Sequence, residues 1–183
     1  MNRFLLLCAL GSIILPAAAA EPRDIDDVQS MKVLFTPGDS GYAAITDLIG
    51  KAQKTIRLGA YHFKSRTVAD ALIAAKARGV DVAVVIDAKN FTSKANQASR
   101  ASEAGIAVFV DRTHKVHHNK YIVVDSRWVE TGSFNYHDQA EYKYAENVLL
   151  IESGKLAREY EGNWEDHKSH AVPLSKYLSE SAM

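Results

Sequence analysis

Residues 116 to 135, VHHNKYIVVDSRWVETGSFN, set an imidazole, an ammonium, a carboxylate, a hydroxyl and a carboxamide at close intervals: His118, Lys120, Asp125, Ser133 and Asn135. The alternating stretches NKYIVVD and RWVETGS meet at Asp125-Ser126-Arg127, which reads as the turn of a β-hairpin. Pairing the two strands about Ser126 sets Lys120 opposite Gly132 and His118 opposite Phe134. The imidazole, the ammonium, the Ser133 hydroxyl and the Asn135 amide then converge at one end of a sheet, where Gly132 lets backbone or ligand come close. His118 and Lys120 share a strand face. Asp125 points the other way and lies about 23 Å from His118, at roughly 3.3 Å per residue. Asp125 is therefore expected to fix the turn rather than to move protons.

These groups suit phosphorus chemistry. A neutral imidazole can attack phosphorus and form a phosphohistidine, splitting one hard step into two. Lys120 and Asn135 can donate to the charge that develops on a transferring phosphoryl group without a metal ion. The cluster lacks the paired carboxylates that hold Mg²⁺ in a two-metal phosphodiesterase. A leaving alkoxide wants a proton donor opposite the nucleophile, and one histidine cannot occupy both sides of an in-line displacement. The motif occurs once, so it reads as half of a site. His114 and His118 invite a metal reading, but on an extended segment they stand about 13 Å apart. No cysteine and no second histidine pair completes a ligand set, so neither a metal nor a cofactor is expected. His62, His137, His167 and His170 carry no spacing signal and read as solvated or capping residues. Trp128 and Trp164 read as core or interface residues.

The elements that must position this cluster alternate along the chain. MKVLFTP reads as a strand stopped by Pro37-Gly38, SGYAAITDLIGKAQ as a helix, TIRLGAYHF as a strand, TVADALIAAKAR as a helix closed by Gly79, and VDVAVVID as a strand. SKANQASRASEAG follows as a helix, then the strands IAVFV, NKYIVVD, RWVETGS and ENVLLIE, and a last amphipathic helix from about Lys155 to His167. The βαβ order argues for parallel strands joined by right-handed crossovers. The fold expected is α/β, with a mixed, mostly parallel sheet flanked by helices on both faces.

The opening MNRFLLLCALGSIILPAAAAEPRD has a positive Arg3, an apolar run from Phe4 to Leu15 and an A-x-A pattern ending at Ala20, the pattern of a cleaved signal peptide over residues 1–20. That run is shorter than the roughly 20 residues that span a bilayer, so no stable membrane anchor is expected. Residues 21–183 then form one domain, in the periplasm or outside the cell. Cys8, the only cysteine, goes with the signal, which excludes a disulfide and thiol chemistry. The 22 basic and 22 acidic residues of the whole chain balance, so attraction to a polyanion must be local.

The stretch HNKYIVVDSRWVETGSFN is H-x-K-x4-D followed by six residues and G-S-x-N, and it resembles the signature of the phospholipase D superfamily. The upstream IRLGAYHFKSRTVADALIAAKARGVDVAVVID resembles the segment that precedes that signature, so the likeness runs from about Lys32 to Trp164. It implies the superfamily's α/β/α sandwich. Most members carry two such motifs in one long chain. A short exported chain with one motif is similar to the bacterial EDTA-resistant endonucleases of the superfamily, which dimerise so that two copies meet in one cleft.

The resemblance implies that His118 is the nucleophile, and that His118 of the partner subunit protonates the leaving oxygen and then activates water. Lys120 and Asn135 would hold the phosphate's non-bridging oxygens with support from Ser133, and Glu146 in YAENVLLI would orient the histidine. Asp125 matches the motif's aspartate. His117, Lys143 and Tyr61 are further candidates for contact with substrate. The implied activity is hydrolysis of DNA, and of RNA, by a homodimer with little sequence preference. Phospholipid headgroups or cardiolipin are the alternative substrate, and a non-catalytic binding module is a third reading that the intact motif opposes. Two imidazoles in one cleft titrate as a pair, so activity should peak from mildly acidic to neutral pH.

Overall fold

The computed structural model describes residues 21–91 and 95–181; the expected signal peptide lies outside the described residues. In chain order they form β1 (Ser30–Thr36), α1 (Gly41–Lys51), β2 (Thr55–Ala60), α2 (Arg66–Ala77), β3 (Asp81–Asp87), α3 (Ala88–Phe91), α4 (Ala98–Glu103), β4 (Ala107–Asp111), β5 (Lys120–Val124), β6 (Trp128–Gly132), α5 (Asp138–Tyr142), β7 (Glu146–Glu152), α6 (Gly154–His170), β8 (Val172–Pro173) and α7 (Leu174–Ser181). Serines begin three of the longer helices. Ser40, Ser65 and Ser153 each accept the backbone N–H three residues on, meeting a donor that the first turn of α1, α2 or α6 leaves open.

The strands make one sheet in the order β1-β7-β6-β5-β2-β3-β4-β8. It is a mixed sheet in an α/β fold with helices on both faces, but the parallel share is smaller than the βαβ order suggests. β2–β3 and β3–β4 are parallel; the other five pairings are antiparallel. The cause is connection length. A parallel return needs a crossover of a dozen or more residues, usually helical, which α2 supplies. The chain from β5 to β6 turns tightly instead, and the connection carrying α5 returns the chain beside β6 as the antiparallel β7.

Alternation along the strands builds two cores. Ile56, Leu58, Val84, Ile122 and Leu150 face Ile45, Ile49 and Leu72 of α1 and α2. Val85, Tyr121, Val123 and Val129 face α6 through Ala157 and Trp164. Trp164 is a core residue whose Nε1 donates to the Leu58 carbonyl at 2.9 Å. Trp128 packs half-buried against the larger core.

The β5–β6 hairpin pairs Tyr121 with Thr131 and Val124 with Trp128, a register centred on Ser126. Asp125 and Ser126 both adopt left-handed φ, 53° and 52°, and the Arg127 N–H donates to the Val124 carbonyl at 3.1 Å. This tight turn matches the twist of the strands it joins. The Asp125 carboxylate accepts the backbone N–H groups of Gln53, Lys54 and Thr55 at 2.8, 2.7 and 2.9 Å. The turn is thereby tied to the segment entering β2, and β5 is held in register beside β2 from Ile56↔Val124 to Ala60↔Lys120.

Two expectations follow. Asp125→Ala removes three charge-assisted hydrogen bonds at a partly wet site, and should lower stability by about 1–3 kcal/mol in thermal melts while the folded fraction keeps its turnover number. Glu130 is fully buried, with Oε2 accepting the Tyr136 hydroxyl at 2.7 Å and Oε1 making no hydrogen bond. Burial pushes its carboxyl up to about 8 from an ordinary 4.5, against the smaller opposing effect of the Tyr136 hydrogen bond. The folded chain therefore keeps a proton that the unfolded chain releases, and this stability is complete below about pH 4.5 and lost as pH rises through about 8. Glu130→Gln should flatten the fall in melting temperature across that window.

Candidate active site

The polar residues of the motif gather at the hairpin's open end. Lys120 opens β5 with its side chain 8% exposed. Its Nζ donates to the His118 carbonyl at 2.6 Å, stands 3.3 Å from His118 Nδ1 and lies 5.1 Å from the centroid of the Tyr61 ring. Burial pushes this ammonium below its ordinary range, and the charge of Glu146 pulls it back up. The exposed His118 ring packs 4.5 Å from that of Tyr61. The Tyr61 N–H in turn donates to the Asn119 carbonyl at 2.9 Å, lashing the segment before β5 to the end of β2.

Across the hairpin, β6 ends at Gly132, whose φ is +149°; a Cβ there would lie 2.2 Å from the Asn147 carbonyl oxygen. The close approach that glycine permits is to the backbone of β7. The Ser133 N–H donates to that carbonyl at 3.2 Å. The Ser133 hydroxyl donates to Glu146 Oε2 at 2.5 Å and accepts the Asn147 N–H at 3.0 Å. Its proton is committed to Glu146, so Ser133 is a tethered polar group and not a free nucleophile. Asn135 Oδ1 is buried without a hydrogen bond, as polar groups at functional sites sometimes are.

A cavity of about 390 Å³ opens between these groups, lined by His118, Asn119, Lys120, Tyr121, Thr131, Gly132, Ser133, Asn135 and Tyr160. The structure therefore gathers His118, Lys120, Ser133 and Asn135, with Gly132 in the wall and Tyr61 against the histidine. Glu146 stands one hydrogen bond behind, on Ser133, and makes none to His118. Asp125 sits at the far turn. Lys143 is exposed at the end of α5, outside the lining.

His117 is a correction. It was a candidate for substrate contact, yet it is 1% exposed, and its N–H donates to Asp87 Oδ2 at 2.9 Å. Strand parity turns its ring away from that of its neighbour His118 and into the interior. As the spacing implies, His114 does not pair with His118. His114 meets Asp111, His167 and His170 instead, because α6 brings its last turn against the end of β4. Those two α6 histidines are thus not merely solvated. His137 caps α5, its Nδ1 accepting the Ala140 N–H at 3.2 Å, and its ring lies 5.2 Å from that of His62. Burial holds the His62 imidazole down at about 4 and lowers His137 as well. Sequence reasoning missed Tyr160 and Asn119: Tyr160 arrives from a distant helix, and strand parity alone turns Asn119 away from its neighbours.

Chemically, the cavity presents one imidazole and one ammonium beside neutral polar groups, with no pair of carboxylates in its lining. A sequence model described as cardiolipin synthase, PLD-like domain, matches residues 45–168. Phospholipase D of Rickettsia conorii is 34% identical over 168 residues, covering 91% of this chain and 84% of that one. The mitochondrial cardiolipin hydrolase of Xenopus tropicalis is 30% identical, over 69% of this chain and 60% of its own. The crystal structure of Nuc, a phospholipase D family member from Salmonella typhimurium, superimposes with a TM-score of 0.76 at 36% identity. That match covers 79% of this chain and 97% of that one.

Lys120→Ala removes the cavity's ammonium and should lower kcat/KM for a phosphodiester by about 100- to 1,000-fold, with the melting temperature little changed. Steady-state rates on a chromogenic phosphodiester, with melts of the same samples, check both.

Proposed function

The chain belongs to the phospholipase D superfamily and is a phosphodiesterase, and on that premise we propose that it is a metal-independent endonuclease that cuts DNA and RNA as a homodimer. The make-up of the cavity carries this reading: a single imidazole and a single ammonium, with neutral groups where a two-metal enzyme would place carboxylates. His118 attacks phosphorus in line, forming a P–N bond as the bond to the leaving oxygen breaks. Lys120 and Asn135 stabilise the non-bridging oxygens. The leaving oxygen takes its proton from His118 of the partner subunit. That same imidazole then removes a proton from water, which attacks phosphorus and releases His118.

The proton donor has to come from elsewhere because the chain's own neighbouring imidazoles are poorly suited. His62, held down at about 4, carries no proton to give near neutral pH. A surface for a second copy lies close by. Met31, Val33 and Phe35 of edge strand β1 are 63%, 53% and 61% exposed on one sheet face. Phe35 pairs with Asn147, the residue bonded to Ser133, so the apolar row runs toward the cavity. Half-buried Tyr61 and Tyr160 offer flat rings on which bases can stack beside the phosphate. The export signal read in residues 1–20 supports work in the periplasm or outside the cell.

The names of the relatives support a second reading, hydrolysis of phospholipid headgroups or cardiolipin. The tyrosine rings beside the cavity, on which bases can stack, make nucleic acid the preferred substrate. Plasmid DNA and labelled phospholipid, each incubated with the protein in excess EDTA well below its melting temperature, separate the two. Cleaved plasmid and intact lipid are expected; hydrolysed lipid beside intact plasmid would reverse the assignment, and loss of plasmid cleavage in EDTA would overturn the metal-free mechanism. Exchange of wild-type protein with excess His118→Asn should extinguish the wild-type activity, since every mixed dimer has one histidine. Activity unmoved by that excess would rule out a shared cleft.

A further inference from the structure

Away from the reaction cavity, four imidazoles surround one buried carboxylate oxygen. Asp111 ends β4 and is 1% exposed. Its Oδ1 accepts the N–H groups of Thr113 and His114 at 2.9 and 3.3 Å, which fixes the plane of the carboxylate. Its Oδ2 lies 2.9 Å from His114 Nδ1, 3.2 Å from His167 Nδ1, 3.3 Å from His117 Nδ1 and 3.4 Å from His170 Nε2. A carboxylate oxygen offers about two lone-pair sites, fewer than the nitrogens that crowd it. His117, its side chain fully buried, makes no hydrogen bond through either ring nitrogen, although Nδ1 lies 3.3 Å from this same oxygen. More imidazole nitrogens surround this oxygen than its lone pairs can accept from.

From this geometry we infer that Asp111, His114, His167 and His170 bind one zinc ion. Their ligand atoms all lie within 4.8 Å of one another. In a tetrahedral site with bonds of about 2.0–2.1 Å, ligand atoms stand roughly 3.4 Å apart, and the Asp111 oxygen already sits 2.9–3.4 Å from the three nitrogens. The histidine-to-histidine edges close around the ion on binding. The residues come as two i,i+3 pairs, Asp111 with His114 on one segment and His167 with His170 on the last turn of α6, where that spacing shares a helix face. Three imidazoles and a carboxylate are ligands that zinc accepts, and four protein ligands leave no open position for water. The ion is structural and takes no part in the reaction at His118.

The zinc staples the end of α6 to the segment between β4 and β5, the segment that delivers His118. Binding through Nδ1 leaves the His167 proton on Nε2, 3.2 Å from the side-chain amide nitrogen of Asn119, so the Asn119 amide turns its oxygen to that N–H on zinc binding and accepts it. Asn119 lines the reaction cavity, so the bound ion supports the cavity wall from behind.

Untagged protein, stripped with a chelator and dialysed, can be titrated with zinc chloride by calorimetry and melted with and without zinc. One zinc per chain and a raised melting temperature are expected, and cobalt(II) in its place should show the strong visible absorption of a tetrahedral site. His114→Ala and His170→Ala remove partly exposed side chains, 47% and 32% accessible, and so should fold. Each should weaken zinc binding by at least about tenfold, since even residues behind a ligand cost that much, and should remove the zinc-dependent rise in melting temperature. No binding at micromolar zinc, or binding undiminished in both variants, overturns the site. These readouts are independent of turnover, so they stand apart from any failure of the nuclease reading.

Discussion

In-line displacement at phosphorus puts the nucleophile and the leaving oxygen on opposite sides of one atom, and a single imidazole cannot reach both. That constraint governs how this chain is read. The hairpin delivers one His118 to an open cavity, beside one Lys120 that is nearly buried and bonded back to the histidine's own carbonyl. The cavity lining holds one imidazole and one ammonium, and among the described residues it holds no second imidazole to stand opposite the first. The neighbouring His62 is held neutral by burial. A second copy of the chain, docked on the apolar row of β1, would complete the arithmetic.

Side-chain hydrogen bonds to neighbouring strands hold the two ends of this hairpin in place. Asp125 is far from the chemistry, yet its carboxylate gathers three N–H groups and so sets where β5 lies beside β2. A slip of one residue there would turn His118 and Lys120 to the other face. At the opposite end Gly132 lets β6 approach β7 closely, and Ser133 closes the contact by bonding both Glu146 and Asn147. The reactive end is therefore anchored from two directions. If zinc binds Asp111, His114, His167 and His170, the segment leading into His118 gains a third anchor.

Local patterns made much of this legible in the sequence. The hairpin register about Ser126 follows from two short β-forming stretches set on either side of a turn. The longer helices follow from apolar residues recurring at helical spacing. His118, Lys120, Ser133 and Asn135 lie within eighteen residues of one another, so a single hairpin suffices to bring them together. Long-range contact was where the reading failed. The predominance of antiparallel pairing depends on where β7 and β5 dock, which periodicity does not encode. His117 looked like a neighbour of the site but is its structural backing, because the segment it shares with His118 sends alternate side chains in opposite directions. Tyr160, His167 and His170 come from a helix remote in sequence, and no spacing rule links His114 to them.

The covalent intermediate offers the most direct measurement of the central claim. Protein mixed with a substrate labelled at its phosphorus, quenched in base during the first turnover, should carry label on His118 in a ratio of one phosphoryl group to two chains. That half-of-sites stoichiometry is what a cleft shared across a two-fold axis predicts. A burst of one phosphoryl group per chain would mean that each subunit completes the chemistry alone, and would contradict the account.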